Sequence, residues 1–354
     1  MTKSRIAYID ITKGIAILLV IFGHTFRDSM RADYFWCDYS YCFVYRFHVS
    51  MFFLLSGMTY AMTREKYLGQ NPLRFIAKRA RQLLLPWFSY SILMYAVFSL
   101  VQLVPKIKEI LSGGAYGFIS PLLYLRAMLF NENPYSFHLW YLNALFFITV
   151  FTYLIDRFFD KATARTLKIV FILTVPMIYN LFAENQVWVI KGFLQKLPLF
   201  LLGTLLDHEL VVRRAKALSV SGAVSIAVLA VYTYLVNYET VLASDSFFAG
   251  MLLFFAEHLI VVMTTLGIAA VCHLLRRKLK FVEYLGRNSM VYYLYHQPFC
   301  CAFLGMVLYD VMGLPAIAVV AACLALSIVI PYCVVKAVKL LKLTPVFEFF
   351  GLPV

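Results

Sequence analysis

The sequence predicts an all-α integral membrane protein, a single bundle of about ten transmembrane helices with its N- and C-termini in the cytoplasm. Of the 354 residues, 62% are hydrophobic and only 14% are charged, whereas a soluble domain carries roughly a quarter of its residues as charged groups. The apolar residues form long blocks instead of the narrow stripes of amphipathic helices. Lysine and arginine gather in every second segment between those blocks, which is typical of a multi-pass membrane protein.

The predicted spans are blocks of mainly apolar residues near the length of about 20 that a crossing helix needs. The ten are Ile6–Phe26, Phe47–Met62, Leu83–Val104, Phe137–Ile155, Ile169–Phe182, Leu194–Leu206, Ala217–Val236, Phe247–Cys272, Met290–Leu308 and Leu314–Val335. The fifth and sixth are short, so nine and eleven spans stay open as alternatives. Tyr116–Phe130 is an extra apolar stretch that contains Pro121 and Arg126, and we predict that it lies at the membrane interface.

The distribution of charge sets the predicted orientation. With the N-terminus inside, about three quarters of the 32 lysines and arginines fall in inner segments, as the positive-inside rule predicts. The same bias accounts for the net charge of +14, so membrane lipids are the expected surroundings and no nucleic-acid partner is predicted. We expect one domain over residues 1–354, no appended soluble domain, and a multi-pass location in the plasma membrane.

Ionisable residues within spans are costly and therefore candidates for function. In the first span, Lys13 lies near the inner end and His24 near the outer end, separated by roughly 16 Å of helix. Asp10 and Lys13 share a helical face and are candidates for an ion pair. The alternative is that Lys13 extends to the lipid headgroups while His24 only caps the helix.

Other polar residues recur at the outer level of the bundle. His48 opens the second span, His138 opens the fourth, and His296 lies in the ninth, while Glu257 lies near the middle of the eighth. Taken singly, each is more often a structural residue than a functional one. No two of these histidines have the i, i+3 or i, i+4 spacing of paired ligands, so no metal site is predicted.

A basic segment precedes the third span. Arg74, Lys78 and Arg81 share one helical face, and Arg79 lies among them. Such a cluster is explained by membrane topology or contact with anionic lipids. It also suits phosphate binding, because the guanidinium group is a planar fork that matches phosphate oxygens. The charge pattern does not choose between these interpretations.

Five strings in order along the chain carry a family resemblance. They are KGIAILLVIFGH, FHVSMFFLLSG, KRARQLLLPW, HLWYLNALFF and LGRNSMVYYLYHQP. Together they resemble the membrane acyltransferase 3 family, integral O-acyltransferases that modify polysaccharides, lipid-linked saccharides and small metabolites. The family typically has arginine, ten residues and then an essential histidine in its first helix. His24 holds the histidine position here, and Lys13 replaces the arginine.

The resemblance implies a donor, an acceptor and roles for several residues. The donor is acyl-CoA, usually acetyl-CoA, with no permanently bound cofactor, and the basic motif falls on Arg79 and Arg81. The acceptor is a hydroxyl group of a saccharide or lipid-linked glycan. We expect donor phosphates near the inner basic residues and the thioester near His24.

His24 is the predicted general base, because an imidazole titrates near neutral pH; a transient acyl-imidazole is the alternative. Hydrogen-bond donors for the oxyanion are predicted among polar residues at plausible depth. These candidates are Ser56, Tyr141, Asn143 and Ser289. Trp140, in the same string of the fourth span, is a candidate for supporting the site or contacting the substrate. A secondary transporter or flippase is the rival function, with Glu257 and the histidines forming a proton relay.

Overall fold

The all-α membrane architecture is confirmed. A computed structural model describes residues 6–105, 119–130, 132–133, 135–181, 188–239 and 247–354, and within these ranges it contains helices and turns but no β-strand. Eight helical segments of the described residues are long and apolar enough to cross a membrane. Part of the predicted interfacial stretch, residues 116–118, lies outside the described residues.

The described residues of the first half of the chain form nine α-helices. They are α1 (Ala7–His24), α2 (Asp28–Asp33), α3 (Phe35–Tyr45), α4 (His48–Thr63), α5 (Glu65–Leu68), α6 (Pro72–Val101), α7 (Pro121–Leu129), α8 (Trp140–Phe158) and α9 (Lys161–Leu181). A 3-10 turn over Phe137–Leu139 leads into α8. The predicted first, second and fourth spans therefore correspond to α1, α4 and α8.

The second half, as far as the structure describes it, adds eight helices and two π-helical turns. The helices are α10 (Trp188–Leu205), α11 (His208–Arg213), α12 (Ala215–Asn237), α13 (Phe247–Leu274), α14 (Lys280–Arg287), α15 (Ser289–Tyr295), α16 (Ala316–Leu340) and α17 (Thr344–Phe349). The π-turns cover Phe299–Phe303 and Met306–Val311. The predicted seventh, eighth and tenth spans correspond to α12, α13 and α16.

The third span begins earlier than predicted. Its helix, α6, starts at Pro72 instead of Leu83, so the basic segment belongs to the helix itself. The side chain of Asn71 caps this start by accepting a hydrogen bond from the backbone N–H of Leu73, at 2.9 Å. Asparagine at the cap followed by proline is a common start of a helix, and hydropathy alone does not detect it.

The helices at the fifth and sixth predicted spans are also longer than predicted. Helix α9 has 21 residues and α10 has 18, because both include basic residues that interrupt the hydropathy. Within α9 the ammonium group of Lys168 lies 2.6 Å from the carboxylate of Asp156 on α8. This ion pair accommodates a buried cation that would otherwise be costly within a span.

The ninth span is not one continuous helix as predicted. Helix α15 ends at Tyr295, and the chain continues through Pro298 into the two π-turns. Proline lacks the N–H group that a regular helix needs at an interior position and clashes with the preceding turn. The break places His296 immediately after the end of α15, beside the helices that surround α1.

Glycine allows α14 to lie directly against α1. A Cβ atom at Gly286 would stand 1.7 Å from the carbonyl oxygen of Asp10, and one at Gly14 would stand 2.0 Å from that of Val282. Small residues permit this close backbone approach between membrane helices. The contact fixes the start of α15 next to the inner half of α1, where the candidate site begins.

Candidate active site

A cavity of about 210 Å³ lies among α1, α4, α6, α8 and α15, and we call it the central cavity. Four residues singled out from the sequence line it, namely Lys13, Ser56, Tyr141 and Ser289. The remaining lining residues are mostly apolar: Val20, Val49, Phe52, Leu83, Leu142, Leu145, Met290 and Tyr293. The cavity is therefore mainly apolar with a few polar groups, which is the usual composition of a small-molecule site.

Helix α1 connects this cavity to His24. Lys13 and Val20 line the cavity, and His24 follows Val20 by four residues, so all three lie on one helical face. His24 is half-buried. On α15, Tyr293 also lines the cavity, and its ring centre lies 5.7 Å from that of His138. The outer end of the cavity thus adjoins the histidines.

The structure brings four predicted histidines together in one cluster. The ring centres of His24 and His296 are 5.2 Å apart, and those of His296 and His138 are 5.5 Å apart. His48 joins through Tyr45, whose ring lies 4.8 Å from His48 and whose hydroxyl lies 3.1 Å from Nδ1 of His24. In the described part of the chain, no group of three ligating side chains is placed to hold a metal ion.

Backbone carbonyls fix the proton positions of two of these imidazoles. Nδ1 of His296 lies 3.0 Å and 2.9 Å from the carbonyl oxygens of Tyr292 and Tyr293. Because a carbonyl only accepts, Nδ1 must carry the hydrogen, and the lone pair of a neutral ring is then on Nε2. That Nε2 atom is buried without a partner, as is Nε2 of His138. His48 is held likewise, with Nδ1 2.6 Å from the carbonyl oxygen of Val44.

Asp10, Trp140 and Asn143 lie outside the wall of the central cavity. The carboxylate of Asp10 lies 3.5 Å from Nε of Arg287, which is a contact between α1 and α14. The ring of Trp140 packs against that of Phe53, with centres 6.3 Å apart. Asn143 follows Tyr141 by two residues and so points away from the cavity side of α8; its buried Oδ1 has no partner.

The basic residues of α6 divide into two groups. Arg74, Lys78 and Arg81 are exposed, whereas Arg79 is half-buried. The guanidinium of Arg79 lies over the rings of Tyr67 and Phe75, at 5.4 Å and 5.3 Å. Its Nε is buried and has no hydrogen-bond partner. Arg79 precedes the cavity residue Leu83 by one helical turn, so it lies on the same face toward the predicted inner side.

A second basic region on the predicted inner side was not recognised from the sequence. It surrounds a cavity of about 380 Å³. Its charged lining residues are Arg64, Glu65, Asp156, Lys161, Arg165 and Lys168. Asp156 contacts Lys168 and accepts a hydrogen bond from Tyr60 at 3.1 Å. Since Asp156 and Glu65 offset part of the positive charge, this region resembles a structural ion-pair network at a helix end.

Glu257 lies in a third cavity, away from the histidine cluster. Its carboxylate pairs with Arg46 at 3.2 Å, and the two residues line a space of about 310 Å³ together with Lys196 and His258. Neither Arg46 nor Lys196 was singled out from the sequence. Both are single basic residues beside apolar ones, and this pattern could have identified them. Tyr45, which contacts His24, has no such pattern in the sequence.

Comparison with known proteins identifies the family to which the chain belongs. Residues 6–336 match the model of the acyltransferase 3 family, described as an acyltransferase domain. Over 102 residues the chain is 31% identical to nodulation protein NolL of Mesorhizobium japonicum, an alignment covering 28% of this chain and 26% of that protein. No solved structure matches the chain. Because the family model covers nearly the whole sequence, the chain belongs to the acyltransferase 3 family.

Proposed function

We propose that the protein transfers an acyl group, most simply acetyl, from cytoplasmic acyl-CoA to a hydroxyl of a saccharide or lipid-linked glycan, with His24 as the general base. The observation that carries the proposal is the central cavity, which runs along one face of α1 from Lys13 toward His24. The family supports acyl transfer at a membrane. The plasma membrane is the proposed location.

The donor would enter the central cavity from the inner side. Lys13 and Arg79 stand at that end, and cations of this kind bind the phosphate groups of a nucleotide. The roughly 16 Å of helix between Lys13 and His24 is of the same order as an extended pantetheine arm. A mainly apolar passage accommodates that arm and brings the thioester to the histidine cluster.

In the proposed reaction, Nε2 of His24 takes the proton from the acceptor hydroxyl while the oxygen attacks the thioester carbonyl carbon. Throughout the reaction Nδ1 of His24 keeps its own hydrogen and donates a hydrogen bond to the oxygen of Tyr45, which lies 3.1 Å away. The tetrahedral intermediate collapses with cleavage of the C–S bond, and the imidazolium returns the proton to the sulfur. The products are the acyl ester and free CoA.

The developing oxyanion requires hydrogen-bond donors at the reacting end of the cavity. Tyr141 and Ser56 both line the cavity, as does Ser289 nearer Lys13. We assign Tyr141 to this role, because its ring lies 5.5 Å from that of Tyr293, which adjoins the histidine cluster. Ser56 is not assigned, since it lies about 12 Å of helix inward of His48 on α4. Asn143 is not assigned, since it lies on the other side of α8.

Enzyme and transporter are separated by the fate of a labelled acyl group. The purified protein in proteoliposomes, with [¹⁴C]acetyl-CoA on the inner-facing side and saccharide acceptors on the other, should form labelled ester and one equivalent of free CoA. No acyl ester and no release of CoA with any saccharide or lipid-linked acceptor would count against the proposal. Movement of the saccharide without ester formation would identify the transporter.

A further inference from the structure

The third cavity, which we call the outer cavity, has no role in the proposed reaction. It lies among α4, α9, α10, α12 and α13, and it shares no lining residue with the central cavity. Its volume of about 310 Å³ is within the usual range for small-molecule sites, which begins at about 300 Å³. A polar cavity of this size inside a membrane bundle indicates a ligand site.

The mouth of this cavity is on the outer side of the predicted topology. Arg46, Val236 and Gly250 line it, and they lie where α4 begins, α12 ends and α13 begins. The positive-inside rule places these three positions outside. Lys196 and Glu257 lie further along α10 and α13, deeper in the bundle. A ligand would therefore enter from the side opposite to acyl-CoA.

The charges inside the outer cavity do not balance. Lys196 is only 8% exposed, and its ammonium group donates to the hydroxyl of Ser50 at 3.1 Å. Among the described residues, no carboxylate oxygen lies within ion-pair distance, 4.0 Å, of this ammonium group. Glu257 is paired with Arg46, at 3.2 Å. One buried positive charge is left for an anion, since unpaired buried charges are strongly unfavourable.

Arg46 provides a second unused group. It donates to Oδ1 of Asn237 at 2.8 Å and pairs with Glu257, yet its Nε is buried without a partner. Its guanidinium lies 5.0 Å from the centre of the Tyr232 ring. Tyr179 and Phe254 also line the cavity, and flat aromatic faces suit the apolar face of a sugar ring.

We propose that the outer cavity binds a saccharide through an anionic group, a carboxylate or a phosphate, held by Lys196 and Arg46. The anion would be either an acid group on the sugar or a phosphate that links it to lipid. The cavity lies at the depth of the histidine cluster, because Ser50 in its lining is only about 3 Å of helix from His48, although the two side chains leave α4 on different faces. That this ligand is the acyl acceptor rests on the proposed function, whereas the binding itself does not.

The test measures binding by the purified protein in phosphatidylcholine nanodiscs, without acyl-CoA. The probes are glucuronic acid and glucose 1-phosphate, with glucose as the neutral control. Lys196→Met should weaken binding of the two acids at least tenfold, and Lys196→Arg should retain it. Lys191→Met is the matched control, because it removes the same charge from the same helix outside the cavity. Arg46→Lys keeps the cation but loses Nε, and should weaken binding severalfold.

Phosphatidylglycerol in the nanodiscs distinguishes the sources of the anion. If it lowers the affinity of the wild type for the acids, a lipid phosphate occupies the site; if the affinity is unchanged, the sugar acid is the ligand. Equal binding of glucose and the acids, no binding, or undiminished binding by a folded Lys196→Met variant would overturn the proposal. Because no acyl transfer is measured, its failure is distinct from failure of the proposed function.

Discussion

The imidazole ring of His296 lies 5.2 Å from that of His24, centre to centre, although the two residues belong to opposite ends of the chain. His296 is fully buried and its Nδ1 hydrogen is committed to backbone carbonyls. Its Nε2 lone pair is therefore available inside the cluster. His24, the more accessible ring, is the one that a substrate can reach, and His296 is placed to orient it.

His296→Phe should lower kcat for acyl transfer by roughly 10–100-fold, because the ring of His296 packs beside that of His24 and a misplacement of the general base by about 1 Å costs up to 100-fold. The KM for acyl-CoA should change little, since His296 lies beyond the donor's proposed path. Steady-state kinetics with varied acyl-CoA separates the two parameters. A rise in KM with unchanged kcat would show that His296 contributes to donor binding instead.

Tyr45→Phe removes the oxygen that lies 3.1 Å from Nδ1 of His24. The ring would then lose the group that selects its reactive tautomer, and we expect kcat to fall about tenfold. Tyr39→Phe is the matched control, because it removes a hydroxyl from the same helix that donates to the backbone carbonyl of Ala230, at 2.9 Å, and not to His24. Equal activity of the two variants would argue against the assigned orientation of His24.

Arg79→Met should raise the KM for acyl-CoA about tenfold or more, since the side chain is half-buried at the inner end of the cavity with an unpaired Nε. Arg81→Met should raise it much less, because Arg81 is exposed. The comparison is made on the two purified variants with acetyl-CoA as the varied substrate. A larger effect at Arg81 would show that the phosphate groups bind to the exposed face of α6 instead.

Gly286→Ala should destabilise the protein, because its Cβ would stand 1.7 Å from the carbonyl oxygen of Asp10 and would push α14 away from α1. Overpacking of this kind typically costs about 1–3 kcal/mol. The midpoint of thermal unfolding in detergent should therefore fall. Gly69→Ala is the control, since no heavy atom lies within 4 Å of a Cβ built there; an equal fall in both variants would contradict the packing argument.

Most of the fold follows from the sequence, because a membrane span has a simple signal in hydropathy and length. The exceptions have local causes. The start of α6 at Pro72 depends on a cap and a proline, and α9 and α10 contain lysines that lower the hydropathy of their segments. The break after α15 depends on Pro298, which a window of apolar residues averages out.

The candidate site is less predictable, because it is made by contacts between distant helices. The sequence identified the histidines as unusual but did not indicate that His24, His138 and His296 would meet. It also gave no means of separating Arg79 from the exposed residues around it. Of the outer cavity the sequence indicated only Glu257, since Arg46 and Lys196 gain significance only when their partners in space are known.

The role of His24 as general base is tested most directly by the rate of CoA release by His24→Ala beside the wild type, measured with acetyl-CoA and an acceptor saccharide in nanodiscs. With equal protein levels and equal unfolding temperature, we expect a loss of about 100-fold or more, because a general base contributes roughly 10²–10⁴-fold. Release of CoA and formation of ester at the wild-type rate by this variant would contradict this role.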